Sequence, residues 1–291
     1  MAVFKRGYER YNGPLTGSVT RFLAVPRFVW PKLLGQRFVV ILLVLSLFWP
    51  LLCAGFVYVS NHADLLPSLG SGGDDGVRKM LWIDGKFFAI FMNVQSTFAI
   101  LLAAIAGPGL IAPDLANNAL PLYFARPLSR WTYIGARMMV LFGILSLVTL
   151  IPGLFVFIMQ ASLASTTWLE ANWFLGQGMV LGFLLYIVMV SLIALTCSAY
   201  VKWRVVAGAL VLAFFFVLAG ASQIINQVLR VEWGSLLNPG YAIYAVWCAL
   251  LGVEAAEDAP GAWESFTVLL LMLAALLAVL LRKLRPVEVV S

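Results

Sequence analysis

Six stretches of this chain run for about 20 residues or more with almost no charge, and that length fixes the fold class. They are Phe38–Ser60, Phe87–Ile111, Tyr133–Gln160, Asn172–Ala199, Val205–Gln227 and Trp263–Leu281. An α-helix rises about 1.5 Å per residue, so each run is long enough to cross a hydrocarbon core about 30 Å thick. Acidic residues are absent from all of them except for Glu264, at the edge of the last. The runs are continuous rather than alternating, which excludes a strand barrel. Composition agrees. Of 291 residues, 63% are hydrophobic and 11% charged, where an ordinary soluble domain carries about 25% charge. Disorder needs the opposite balance. The expected architecture is an all-α polytopic membrane protein with six transmembrane helices, and a soluble enzyme is excluded.

The basic residues set the expected orientation. With the N-terminus in the cytoplasm, fifteen of the 19 Lys and Arg fall on the inner side, and only Arg78, Lys79, Lys86 and Arg230 fall outside. The positive-inside rule therefore predicts both termini cytoplasmic. A weaker apolar stretch, Leu236–Val253, contains Asn238, Pro239 and Gly240. Counted as a seventh span it would carry Arg282, Lys283 and Arg285 outside, so it reads as a re-entrant or interfacial hairpin on the outer side. Residues 1–37 form a basic N-terminus whose Val19–Arg37 part mixes aromatic and basic residues, as an interfacial segment does. Pro26 and Pro31 predict that this segment is not one smooth helix. Nothing there resembles a cleavable signal, so the first apolar run is expected to stay as a helix. The domain organisation is thus the N-terminus 1–37 followed by one six-span domain, 38–291.

The net charge of +6 follows from these flanking residues and does not imply nucleic acid. Cys53, Cys197 and Cys248 lie far apart and His62 is the lone histidine, so neither a disulfide framework nor a Cys/His metal site is expected. There is no GxxxxGK[ST], HExxH or GxSxG. The spans hold no paired carboxylates of the kind that ion-coupled transporters need. In place of such ionisable groups stand amides such as Asn93, Gln95, Gln177, Gln223 and Asn226. These either line a translocation path or bond between helices. Gly178 and Gly182 form a GxxxG, which permits close helix approach. Trp168, Trp173, Trp203, Trp233, Trp247 and Trp263 lie near expected interfaces and read as belt residues.

The most informative stretch joins spans two and three. Gly107, Pro108 and Gly109 are expected to end or kink span two. Asp114 is placed to cap a short helix starting near Leu115, and Ser129 to cap span three. Arg126 precedes Pro127 and is biased to extended backbone. Arg126 and Arg130 are exposed candidates for docking a cytosolic partner, and the plainer reading is an ordinary loop whose arginines fix topology. Arg137, near the start of span three, has the reach to snorkel to the interface.

The run Pro113-Asp114-Leu115-Ala116-Asn117-Asn118-Ala119-Leu120-Pro121-Leu122-Tyr123-Phe124-Ala125-Arg126-Pro127-Leu128-Ser129-Arg130-Trp131-Thr132-Tyr133 resembles the inner loop of ABC-2 type transporter permeases. The likeness is sharp over about 107–137. It is supported elsewhere by the six spans, the interfacial N-terminus and the outer hairpin. What it implies is a permease subunit in the bacterial inner membrane, paired with a second permease of the same or a related chain. ATP would be used by a separate ABC ATPase subunit, a P-loop NTPase dimer, and no cofactor, metal or catalytic residue belongs to this chain. Asp114, Asn117, Arg126, Pro127 and Arg130 fall on the family's ATPase-coupling loop. Most of the family export, and the charge-free spans suit an amphiphilic substrate. The contrasting expectation is a non-transporting structural membrane subunit that anchors a larger assembly. A neighbouring gene for a P-loop ATPase separates the two.

Overall fold

The computed structural model describes residues 18–62, 83–117, 119, 129–254 and 260–284, with no side-chain detail for 18–21. Every regular element among them is a helix. Six helical segments are long and apolar enough to cross a membrane: Arg37–Asn61, Gly85–Ala116, Arg130–Leu163, Thr166–Tyr200, Arg204–Leu229 and Ala262–Lys283. They are called spans one to six. Their ends fall within six residues of the apolar runs. Span four departs most, starting at Thr166 rather than Asn172, because a helix does not stop where its apolar residues stop.

Span four is the pillar of the bundle. Of its most apolar stretch 72% is buried, against 17% for span six. Phe183, Tyr186, Ile187 and Val190 are buried along it. Spans one and five turn apolar side chains such as Phe38, Phe48, Val205 and Phe216 outward, as lipid-facing helices do. Span one's start, span two's end, span five's start and span six's end gather at one pole. There Arg204 bonds Gln36 and the Ile105 carbonyl, and Lys283 lies over the Tyr200 ring. Arg37, Arg130, Lys202, Arg204, Arg282 and Lys283 make this the basic pole.

The N-terminal helix Ser18–Leu34 corrects an expectation, since it is continuous through Pro26 and Pro31. Each proline removes one backbone bond, and packing against span three offsets the loss. The Trp30 indole N–H donates to the Val140 carbonyl at 3.1 Å. Its ring covers Gly143, and the Phe22 ring covers Gly135.

The stretch between spans five and six is a short 3-10 turn, Trp233–Leu237, and a helix, Pro239–Leu250. Asn238 caps the helix by accepting from the N–H groups of Gly240 and Tyr241, at 3.0 and 3.4 Å, with Pro239 at the first position. It ends in a Schellman motif. Gly252 has φ 64°. The N–H of Val253 reaches the Cys248 carbonyl at 2.8 Å, and that of Gly252 reaches Ala249 at 3.4 Å. Both ends are thus fixed after 12 residues, or about 18 Å, too short to cross a bilayer.

This helix occupies the GxxxG face of span four. A Cβ on Gly178 would stand 2.5 Å from the Leu250 carbonyl oxygen, and one on Gly182 would stand 2.7 Å from Trp247 Cδ1. The Trp247 indole N–H donates to the Gly182 carbonyl at 3.0 Å. Trp247 is therefore a buried anchor, which corrects its reading as a belt residue. Trp173, Trp203, Trp233 and Trp263 are exposed, as belt residues are.

Candidate functional site

Span two breaks near the basic pole. Its first helix, Gly85–Ala106, begins on an Asp84 cap, where the carboxylate accepts from the Phe87 N–H at 3.1 Å. A second helix, Pro108–Ala116, follows Gly107. The kink is where Gly107-Pro108-Gly109 was expected to produce one. Pro108 has no N–H, and the break leaves backbone groups of both helices without helical partners.

Neighbouring spans satisfy those groups. Ser198 of span four accepts from the N–H groups of Ile111 and Ala112, at 3.3 and 3.0 Å, and donates to the Pro108 carbonyl at 3.2 Å. Arg204 of span five donates to the Ile105 carbonyl at 3.3 Å. Small residues let the helices close on the break. A Cβ on Gly107 would meet Ala194, and one on Gly208 would stand 2.5 Å from the Ala104 carbonyl oxygen.

Asp114 corrects a third expectation. It lies inside the helix Pro108–Ala116 rather than capping one. One of its oxygens, Oδ2, accepts from Arg137 Nη2 at 2.5 Å and from the Tyr133 hydroxyl at 2.7 Å. Both ends of the ion pair are nearly buried, at 12% and 15% exposure for Arg137 and Asp114. Arg137 is thus held by Asp114 and does not snorkel. It also lies 5.3 Å from the centroid of the Tyr133 ring. This is the one ion pair among the described residues, and it locks the end of span two to span three. Removing one partner strands the other charge, at about 3–5 kcal/mol for a fully buried pair. Arg137→Ala is expected to cost about 2 kcal/mol in this partly wet position. Loss of stability in detergent that Asp114→Asn then partly restores would confirm the pairing.

Of the other coupling-loop residues, Asn117 ends the helix and is exposed. Arg130 opens span three. Its cap is Ser129, as expected, with the hydroxyl accepting from the Thr132 N–H at 3.1 Å. Arg126 and Pro127 lie outside the described residues.

The five amides do not converge. Asn93, Gln177 and Gln223 are exposed on spans two, four and five. Gln177 opens on an apolar groove of about 520 Å³ against span three. Asn226 is half-buried, with its side-chain oxygen close to Gly234. Gln95 is fully buried. Its Nε2 donates to the Ser46 carbonyl of span one at 3.1 Å and to the Val148 carbonyl of span three at 2.5 Å.

Those two acceptors have a common cause. Pro50 and Pro152 lie four residues after Ser46 and Val148, so each removes the N–H that would have bonded that carbonyl. Gln95 supplies one hydrogen to each orphan. It lies ten residues into span two, about 15 Å deep and so near the middle of a 30 Å hydrocarbon layer. Span three breaks there, at Thr149. Interrupted helices are tolerated at such depth where neighbours restore the freed backbone bonds.

Sequence reasoning missed Ser198, Arg204 and the tie between Asp114 and Arg137. An acid and an arginine, both flanked by apolar runs, were a usable signal. Among the described residues no group of three or more His, Cys, Asp or Glu is arranged to hold a metal. The chain matches no protein-family model and no curated protein sequence.

Proposed function

We propose that the chain is the permease subunit of an ABC-2 type ABC transporter, working with a separate ATPase pair and a second permease in a bacterial inner membrane. The observation that carries this reading is the clamped end of span two. The helix Pro108–Ala116 is tied to span four through Ser198 and to span three through Asp114 and Arg137. Span five is tied to the same kink through Arg204. A push on the 107–137 stretch from a nucleotide-driven partner would move these spans together instead of bending a loose loop. Span three, interrupted at Thr149 beside Gln95 at mid-depth, is the kind of element that changes shape in transporters. The outward-facing Asn93 and Gln223 of spans two and five are costly against lipid. A second permease packed against either span would cover such an amide, and the pair would carry an amphiphilic substrate outward with ATP used by the partner.

Affinity purification in mild detergent tests this, with wild type compared to an Arg126→Glu/Arg130→Glu variant. The expected result is a P-loop ATPase that travels with wild type and is lost from the variant. An ATPase retained by both moves the docking site off the loop. Other membrane subunits and no ATPase in either sample would replace the permease reading with that of a structural subunit.

A further inference from the structure

We propose that the cleft between the N-terminal helix and span three is a binding site for one anionic phospholipid. The cleft is an open apolar groove of about 820 Å³, walled by one face of the helix and by Met139 of span three. Leu23, Arg27, Trp30 and Leu34 recur on that face at helical spacing. Arg27 stands in the middle of the stripe, is exposed, and has no acidic partner among the described residues. A guanidinium in an apolar groove calls for an anion that brings its own apolar tail.

The depth fits a lipid phosphate. Asn61 at the end of span one bonds Gln160 of span three at 2.7 Å, which sets those two positions level. Nearer the basic pole, Gln95 joins the Ser46 and Val148 carbonyls, and counting back nine residues along each unbroken helix brings Arg37 level with Met139, so Met139 lies at the boundary where span one begins. The helix and its link to span one carry Arg21, Arg27, Lys32 and Arg37 with no acid over 18–37. Basic segments at this level attract anionic lipids. The site itself is distinct from that diffuse attraction, because the groove is preformed. Trp30 is fixed to Val140 and seated on Gly143, which leaves one side of its ring as wall for an acyl chain. The phosphate lies on Arg27 and the chain runs past Trp30 and Leu34 beside Met139. This inference rests on the membrane fold alone and holds with or without an ATPase partner.

The test is native mass spectrometry of the purified full chain incubated with dioleoylphosphatidylglycerol or dioleoylphosphatidylcholine. Wild type is expected to retain about one phosphatidylglycerol in preference to phosphatidylcholine. Removing one basic contact at a membrane surface weakens binding by about fivefold, so Arg27→Gln should retain correspondingly less, while Arg27→Lys keeps most of it. Met139→Trp fills the groove without touching charge and is expected to lower retention too. It separates a built site from surface attraction even where an Arg27 variant folds poorly. Equal retention of the two lipids by wild type, or undiminished phosphatidylglycerol in both Arg27→Gln and Met139→Trp, would overturn the proposal.

Discussion

Gln95→Leu is expected to destabilise the bundle by about 3 kcal/mol, although the substitution is nearly isosteric and enlarges the apolar core. The loss comes from two carbonyls, Ser46 and Val148, left without donors in the middle of the protein. Each unsatisfied buried group costs about 1–3 kcal/mol, and removing the buried Gln95 Oε1, itself without a partner, returns part of that. The prolines supply the control. In a Pro50→Ala/Pro152→Ala background the helices regain the N–H groups that bond those carbonyls, and Gln95→Leu should cost less than about 1 kcal/mol, the scale of an ordinary bond between spans. Unfolding of the four proteins by detergent titration reads both differences. An equal cost in the two backgrounds would sink the assignment of Gln95 to the proline breaks.

The second large effect is expected at Gly178. A Cβ there meets a backbone carbonyl, Leu250, at 2.5 Å, and a backbone does not swing aside as a side chain does. Gly178→Val should cost about 3 kcal/mol, at the upper end of overpacking penalties, and should lever the helix Pro239–Leu250 away from span four. All three cysteines are buried, so the native protein should react slowly with a maleimide. In the variant Cys248, which lies on the displaced helix, should become the first to label, with Cys53 and Cys197 unchanged. Uniform labelling of all three would mean general unfolding, and no labelling would mean that the GxxxG face tolerates a side chain.

These two positions show where sequence reading succeeds and where it stops. The spans are legible because hydrocarbon thickness demands length and apolarity, which one sequence displays directly. The hairpin is legible from Asn238 and Pro239, whose capping chemistry is local. Ser129 is legible for the same reason. Gln95 is half legible: Pro50 and Pro152 announce two orphan carbonyls, but nothing in the order of residues says that one amide reaches both. Asp114 misleads a local reading. An acid early in a short segment looks like a cap, and the stronger claim of Arg137, 23 residues away, wins because both charges leave water together. The GxxxG of span four announces a close neighbour without saying whether it comes from another chain or, as here, from a helix of the same one.

That last pairing orders events during synthesis. Trp247 follows Gly182 by 65 residues, which a ribosome takes about 3–13 s to add at roughly 5–20 residues per second. In the later part of that interval span four is complete to Tyr200, while the helix that covers its glycine face is not yet made. The bundle is therefore closed from its late half, and a nascent chain stalled before residue 239 leaves Gly178 and Gly182 without the helix that covers them in the finished fold.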